Sequence, residues 1–343
     1  MKLKYWMWTF LALLFAILAF TGYLFYKHVF RPVDTSYPVT VYIPTGATIE
    51  GVCDTLSRYG LVKHPKLFYW LADRKNYSHK VKPGRYVFTK PVSLNNLINI
   101  LRSGNQSPVQ VRFNSGIRSI ERLAVVLTHN LETDATEVET LLKDRAFLKK
   151  LGFDKTTVLA MFIPNTYQVY WNISAENLLL RMKREYDRFW QAGRDEKARK
   201  IGLSRIQVST LASIVCKETL KNDEKPVIAG VYLNRLKIGM PLQADPTVIY
   251  ANQAWSAKRV TSRMLQVDSP YNTYKHKGLP PGPICIPDMA SIDAVLNYQK
   301  HNFLYFCARE DFSGYHNFAN TLSQHLKNAR RYQRALNRLR IYK

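Results

Sequence analysis

The chain has 343 residues and carries 50 Lys and Arg against 25 Asp and Glu, a formal charge of +25, with 46% hydrophobic and 13% aromatic content. At ~150 residues per domain this length suggests two folded units, and the apolar content excludes general disorder. Four cysteines, Cys53, Cys216, Cys285 and Cys307, lie far apart with no C-x-x-C pair. They encode neither a disulfide scaffold nor a cysteine zinc site, and leave room for at most one or two bridges.

From Tyr5 to Tyr26 run 22 residues without a charge. At 1.5 Å per residue they reach ~33 Å, about one bilayer core, so the segment reads as a transmembrane anchor behind a short cytoplasmic tail, residues 1–4. A cleaved signal peptide is the rival reading, but the apolar run exceeds the usual ~7–15 residue h-region and no A-x-A site follows it. Lys2 and Lys4 face Lys27 and Arg31 across the span, so flanking charge leaves orientation open.

Past the anchor, Val39 to Ile43 alternates like a strand, Pro44-Thr-Gly46 turns it, and Ile49, Val52, Cys53 and Leu56 recur at helical spacing. A second helix is expected after Pro65, then a turn at Pro83-Gly84 into a strand ending at Phe88, then a helix from Leu94 to Leu101 closed by Gly104. This gives an αβ unit over residues 33–107.

The same features recur 70 to 81 residues later. Val41-x-Ile43-x-x-Gly46 matches Val111-x-Phe113-x-x-Gly116, and Leu56 falls where Leu127 does; Pro83-x-x-Tyr86 matches Pro164-x-x-Tyr167, and Ser93-x-x-Asn96-Leu97 matches Ser174-x-x-Asn177-Leu178. A second, repeat-like αβ unit is therefore expected over 108–200, ending in one long basic helix from Met182 to Lys200. Coincidence between common turn and helix patterns is the alternative reading.

The chemistry is expected in residues 201–343. Leu211, Ile214 and Val215 form an apolar helical stripe, and Glu218 takes position i+7 of it, where a core residue is expected. Desolvation there raises a carboxyl pKa, which suits a general acid; exposure at the helix end or pairing with a nearby base would make the same residue structural. A further helix starts near Asp223 and Pro226, with Val227, Val231 and Leu236 inward and Gly239 ending it. The stretches Leu242 to Tyr250, Tyr271 to Tyr274 and Gly278 to Ile284 read as turn-rich loops presenting polar and aromatic groups, an arrangement that suits sugar binding and equally suits ordinary turns.

The carboxy-terminal run from Lys327 to Lys343 has seven basic residues and no acid. It reads as a solvated helix face. The excess charge admits a nucleic-acid footprint or attraction to anionic lipid and cell-surface polymers. No RNP, KH or zinc-finger pattern accompanies it, so no nucleic-acid partner is expected.

The motifs Ile214-Val-Cys-Lys-Glu218-Thr, Gly230-Val-Tyr-Leu-Asn-Arg-Leu236, Gln243-Ala-Asp-Pro-Thr247, Tyr271-Asn-Thr-Tyr274, Gly278-Leu-Pro-Pro-Gly282 and His316-x-Phe318 resemble, in order and spacing, the YceG-like family of MltG-type endolytic murein transglycosylases. The resemblance implies an α+β protein with an amino-terminal transmembrane helix, a LysM-like αβ unit and a larger mixed catalytic domain. It implies cleavage of the MurNAc–GlcNAc bond of peptidoglycan by attack of the MurNAc 6-hydroxyl, leaving a 1,6-anhydroMurNAc end, without metal or cofactor.

Carried onto this chain, Glu218 becomes the catalytic acid and base. Gln243, Asp245, Thr247, Tyr271, Asn272, Thr273, Tyr274 and His316 become substrate-binding residues. One glutamate suffices in such chemistry, because it protonates the leaving oxygen and then accepts the 6-hydroxyl proton; a two-carboxylate muramidase using Asp245 and an inert peptidoglycan-binding module remain the rivals.

Two residues depart from the family pattern: Cys216 stands where a second glutamate is common, and Asn165 stands in place of the aspartate of Pro-Asp-Thr-Tyr. On a helix Cys216 points roughly 200° from Glu218. The expected place is the cytoplasmic membrane, single-pass, with the carboxy-terminal region outside and peptidoglycan synthases as partners.

Overall fold

The computed structural model describes residues 2–257 and 259–339. Arg340 and Lys343 of the basic tail, and Met1 of the expected cytoplasmic tail, lie outside them. The uncharged segment sits inside a longer helix, α1 (Lys2–Phe30). It stops one residue short of Arg31, whose helical conformation the ring of Pro32 disfavours. Residues 4–30 are long and apolar enough to cross a membrane, and the most apolar 18-residue stretch within them is left uncovered by the rest of the described chain.

The chain divides into two units: Met1–Gln110 with Asn130–Glu132 and Gln168–Ser174, and Val111–His129 with Thr133–Tyr167 and Ala175–Lys343. In the first, β1 (Val39–Ile43) pairs antiparallel with β2 (Gly84–Phe88), Val39 opposite Phe88 and Ile43 opposite Gly84. Alternation turns Val39, Val41, Ile43, Tyr86 and Phe88 inward.

Between the strands lie α2 (Ile49–Arg58), whose N-cap Thr48 accepts the Gly51 N–H, and α3 (Pro65–Arg74), with proline in its first turn. After β2 comes α4 (Leu94–Ser103), capped by Ser93 and ended by left-handed Gly104. Val52, Leu56, Phe68, Leu97 and Leu101 close the core, and Val29 of α1 is buried in the same cluster.

The same order of elements then recurs along the chain. β3 (Val109–Phe113) pairs with β4 (Asn165–Val169). Between them run α5 (Ile120–Thr128), α6 (Ala135–Lys143), α7 (Arg145–Leu151) and a 3₁₀ turn at Val158–Met161. The matching landmarks carry matching physics: Gly46 and Gly116 both sit at positive φ, 79° and 89°; Tyr86 donates to the Lys82 carbonyl, Tyr167 to that of Ile163. The expected single basic helix is instead two, α8 (Ala175–Gln191) and α9 (Arg194–Lys200). Gly193 breaks it at φ 84°, a conformation the α-helix cannot contain.

Then α10 (Arg205–Glu218) starts in a capping box, Ser204 taking the Gln207 N–H while Gln207 returns to the Ser204 N–H. It packs on α11 (Lys225–Lys237) and α13 (Met289–Leu296). The inward face of α11 is wider than the expected Val227, Val231 and Leu236. Ile228, Val231, Tyr232, Leu233 and Arg235 are buried, whereas Val227 and Leu236 are only partly so.

Residues Asp245–Ala251, expected as loop, form a short helix, α12, since Pro246 presets the φ of its first turn. β5 (Tyr305–Ala308) and β6 (His316–Ala319) make a hairpin against which α14 (Leu322–Arg338) lies. Two family-motif glycines are places of close approach. A Cβ on Gly230 would stand 2.5 Å from the Gln299 carbonyl oxygen, and one on Gly282 would stand 2.0 Å from that of Thr156.

Candidate active site

Glu218 ends α10, so the apolar stripe that buries Leu211, Ile214 and Val215 carries its carboxylate to the edge of the core. There it lines an open cleft of about 310 Å³ with Tyr232, Arg235, Gln243, Asp245, Tyr274, Tyr305, Phe306, Leu322 and His325. The Tyr232 hydroxyl donates to Glu218 Oε1 at 2.6 Å. Among the described residues Oε2 takes no protein partner.

Burial pushes the Glu218 pKa up to about 7, and the charge of Asp245 adds to the rise, against opposing pulls from the Tyr232 hydrogen bond and from Arg235. Such a group holds a proton near neutrality and can also accept one.

Arg235 is buried one turn beyond Tyr232 on α11. Its guanidinium donates to the carbonyls of Leu304 at 2.6 Å and Leu242 at 2.5 Å, so it braces two cleft walls rather than neutralising Glu218 by direct contact. Tyr274 donates to Asp245 Oδ1 at 2.5 Å. Gln243 sits at φ 48°, a conformation that costs ~1–3 kcal/mol in a residue with a side chain. A hydrogen bond from its N–H to the Thr273 carbonyl, 3.0 Å, helps hold it.

The structure gathers Glu218, Gln243, Asp245 and Tyr274 of the expected site into this cleft. It places the other five elsewhere. Thr247 and Thr273 are buried and share a hydrogen bond of 2.8 Å, and buried Asn272 donates to the Leu265 and Val267 carbonyls. Tyr271 packs on Tyr250 with ring centroids 4.7 Å apart.

These four hold the loop that carries Tyr274. His316 is bound through Nδ1 and its N–H to buried Glu224, both at 2.7 Å, and does not line the cleft. Cys216 turns away from Glu218, as the helical angle requires, and meets Asp288 Oδ2 at 3.2 Å.

Sequence reasoning missed Tyr232, Arg235, Tyr305, Phe306 and His325. Tyr232 and Arg235 stand three apart on α11, one helical face, a spacing that could have marked them. Tyr305 and Phe306 lie on β5, and His325 reaches the cleft from the basic helix α14, where nothing in the sequence separates it from its solvated neighbours. Burial, then the charge of Arg235, pushes the His325 pKa down, and its buried Nδ1 has no hydrogen-bond partner among the described residues.

A mixed α+β scaffold with a tyrosine-held carboxyl raised to about 7 in an open polar-aromatic cleft has the make-up that general acid–base enzymes require. The chain belongs to the YceG-like family, whose model matches residues 41–331. It is 29% identical over 330 residues to an endolytic murein transglycosylase of Bacillus subtilis, covering 91% of this chain and 90% of that protein. An endolytic murein transglycosylase of Streptococcus pneumoniae is 29% identical over 347 residues, of whose length the match spans 62%. The crystal structure of a yceG-like protein from Listeria monocytogenes superposes with a TM-score of 0.55 at 28% identity, covering 84% of this chain and 98% of that one.

Proposed function

We propose that this protein is an endolytic lytic transglycosylase that cuts the MurNAc–GlcNAc bond within peptidoglycan glycan strands. The observation that carries the chemistry is Glu218 at the cleft edge, raised to about 7, with Tyr232 on Oε1 and Oε2 open to a substrate oxygen. Protonated Glu218 gives its proton to the glycosidic oxygen as the C1–O bond breaks. The carboxylate then takes the proton of the MurNAc 6-hydroxyl as that oxygen bonds to C1, and the 1,6-anhydro end forms with no water consumed.

Tyr274, Tyr305 and Phe306 offer rings to sugar faces, and Gln243 and Asp245 offer polar groups to hydroxyls. Asp245, held by Tyr274, serves site architecture and electrostatics rather than nucleophilic attack. Thr247, Tyr271, Asn272, Thr273 and His316 then act on substrate only through the loops they hold.

In this reading α1 anchors the chain in the cytoplasmic membrane with residues 27 onward outside, a LysM-like unit over 33–107 and its repeat over 108–200 lead to the catalytic region 201–343, and synthases that polymerise lipid-linked strands are the partners. Cutting there would release nascent strands from their membrane end. Digestion of purified sacculi followed by mass spectrometry tests the reaction. The expected products carry anhydro ends, and products heavier by one water would replace the lyase with a hydrolase. Protease added to spheroplasts tests the topology, which fails if the carboxy-terminal region is protected.

A further inference from the structure

Where the apolar run of α1 ends, the first unit forms a second concavity that the proposed chemistry does not use. It measures about 250 Å³ and is lined by Lys27, His28 and Arg31 from the end of α1 and just beyond it, and by Lys63 and His64 from the turn that leads into α3, with Asp34 as the one acid. Among the described residues no ion pair engages Lys27, Arg31 or Lys63. Pockets for drug-sized ligands run ~300–1,000 Å³, so this one suits a small, anionic headgroup.

Its height is fixed. Lys27 is the first charge after Tyr26, and Arg31 lies four residues, ~6 Å, further on. That is the headgroup layer if Tyr5 to Tyr26 fill the hydrocarbon core.

The orientation is fixed as well, because α1 does not hand over to a free linker. Val29 is buried in the core of the first unit, Val33 N–H donates to the Val92 carbonyl at 3.0 Å, and Pro32 bridges Ser93. Phe25 meets Trp70 edge-on at 5.6 Å, and both rings are 41–45% exposed beside Tyr26, 55% exposed. Such a ring of aromatics marks the interfacial depth of a membrane. His28 and His64 close the pocket with rings 4.2 Å apart.

We infer that this juxtamembrane pocket binds the phosphodiester of an anionic membrane phospholipid, which joins the end of α1 to α3 and seats the first unit on the bilayer surface. The inference rests on the proposed reading of α1 as a membrane anchor.

To test it, the full chain is reconstituted in nanodiscs of equal phosphatidylglycerol and phosphatidylcholine, then extracted mildly, and the phospholipid retained per chain is counted by native mass spectrometry. The expected result is one phosphatidylglycerol, about tenfold preferred. Arg31→Gln and Lys63→Gln should each lower that preference about fivefold, while Lys63→Arg keeps it and Lys149→Gln, exposed on α7, leaves it unchanged. Equal retention of the two lipids by the wild type, or a preference untouched in the Arg31→Gln/Lys63→Gln double variant, overturns the inference. So does displacement by millimolar glycerol phosphate, which would assign the pocket to a soluble phosphate. Failure of the chain to enter nanodiscs at all sinks the anchor reading instead.

Discussion

Glu218 and Asp288 both bring a carboxylate to the flanks of α10, and the two regions treat it in opposite ways. Around Asp288, burial alone would raise the pKa, yet the Lys225 ammonium at 2.9 Å, the Ser291 N–H and the Cys216 thiol hold it below the usual range. Lys225 is itself buried. Around Glu218 the one direct partner among the described residues is a neutral hydroxyl, and the nearby cation, Arg235, is occupied by backbone carbonyls. Burial therefore wins, and the group titrates near 7. The contrast teaches that burial makes a carboxylate chemically useful where its charge is left uncompensated, and structural where a cation and several donors meet it.

Glu218→Gln breaks the chemical side of this comparison and carries the largest expected effect. The amide keeps the shape and cannot donate an acidic proton, so cleavage of sacculi should fall by ~10²–10⁴ with the fold intact. Activity within about tenfold of wild type would remove Glu218 from the role of acid.

The same variant reads out stability. A carboxyl raised from its ordinary value to about 7 stabilises the fold fully below ~4.5, and that contribution is lost as pH rises through about 7. Wild type should lose ~3 kcal/mol across that window in thermal unfolding, and Glu218→Gln should not. Parallel curves would mean that the carboxyl is not desolvated.

Lys225→Met breaks the structural side. It strands Asp288 without its cation and should cost about 2–3 kcal/mol of unfolding free energy, while product chemistry at a permissive temperature stays the same. Because Asp288 has a depressed pKa, the stability that it supplies in wild type is present above its unfolded value and fades as pH falls through the folded one. A Lys225→Met protein with unaltered melting would show that the pair contributes nothing.

Tyr232→Phe sharpens the comparison from within the cleft. Removing the one hydrogen bond that favours the ionised form should move the alkaline limb of the rate profile above about 7, with roughly a tenfold loss from poorer positioning of Oε1. A limb that moves down would reverse the assigned sense of that hydrogen bond.

Asp245→Asn is expected to be the mildest. It removes a charge that raises Glu218, so the limb should shift to lower pH, with less loss than Glu218→Gln and the same anhydro product. Complete loss rescued by azide as an azido-sugar would make Asp245 a nucleophile.

Local physics made much of this legible from the chain alone. The apolar span, the αβ order of the first unit, the turn at Gly46 and its partner Gly116, and the cap at Ser93 follow from periodicity and from backbone geometry that few residues tolerate. Glu218 was legible for the same reason, as a carboxylate standing in an apolar helical stripe.

The long basic helix was misread because Gly193 can be absorbed in a helix or can break it, and neighbouring contacts decide which. The ion pairs of Arg205 with Asp195 and of Arg194 with Asp293 favour the break. Thr247, Asn272 and Thr273 read as sugar ligands because their chemistry is that of a binding site. Only packing shows their polar atoms spent on one another and on the loop backbone.

Tyr232 and Arg235 share one face of α11, yet their meeting with Glu218, and that of His325 from about a hundred residues along the chain, is encoded in no pattern local to Glu218. The acid was thus written in the sequence. The neutral hydroxyl that holds it, and the engagement of the nearby Arg235 by backbone carbonyls, were decided by tertiary structure, because charge compensation depends on distance in space rather than on position along the chain.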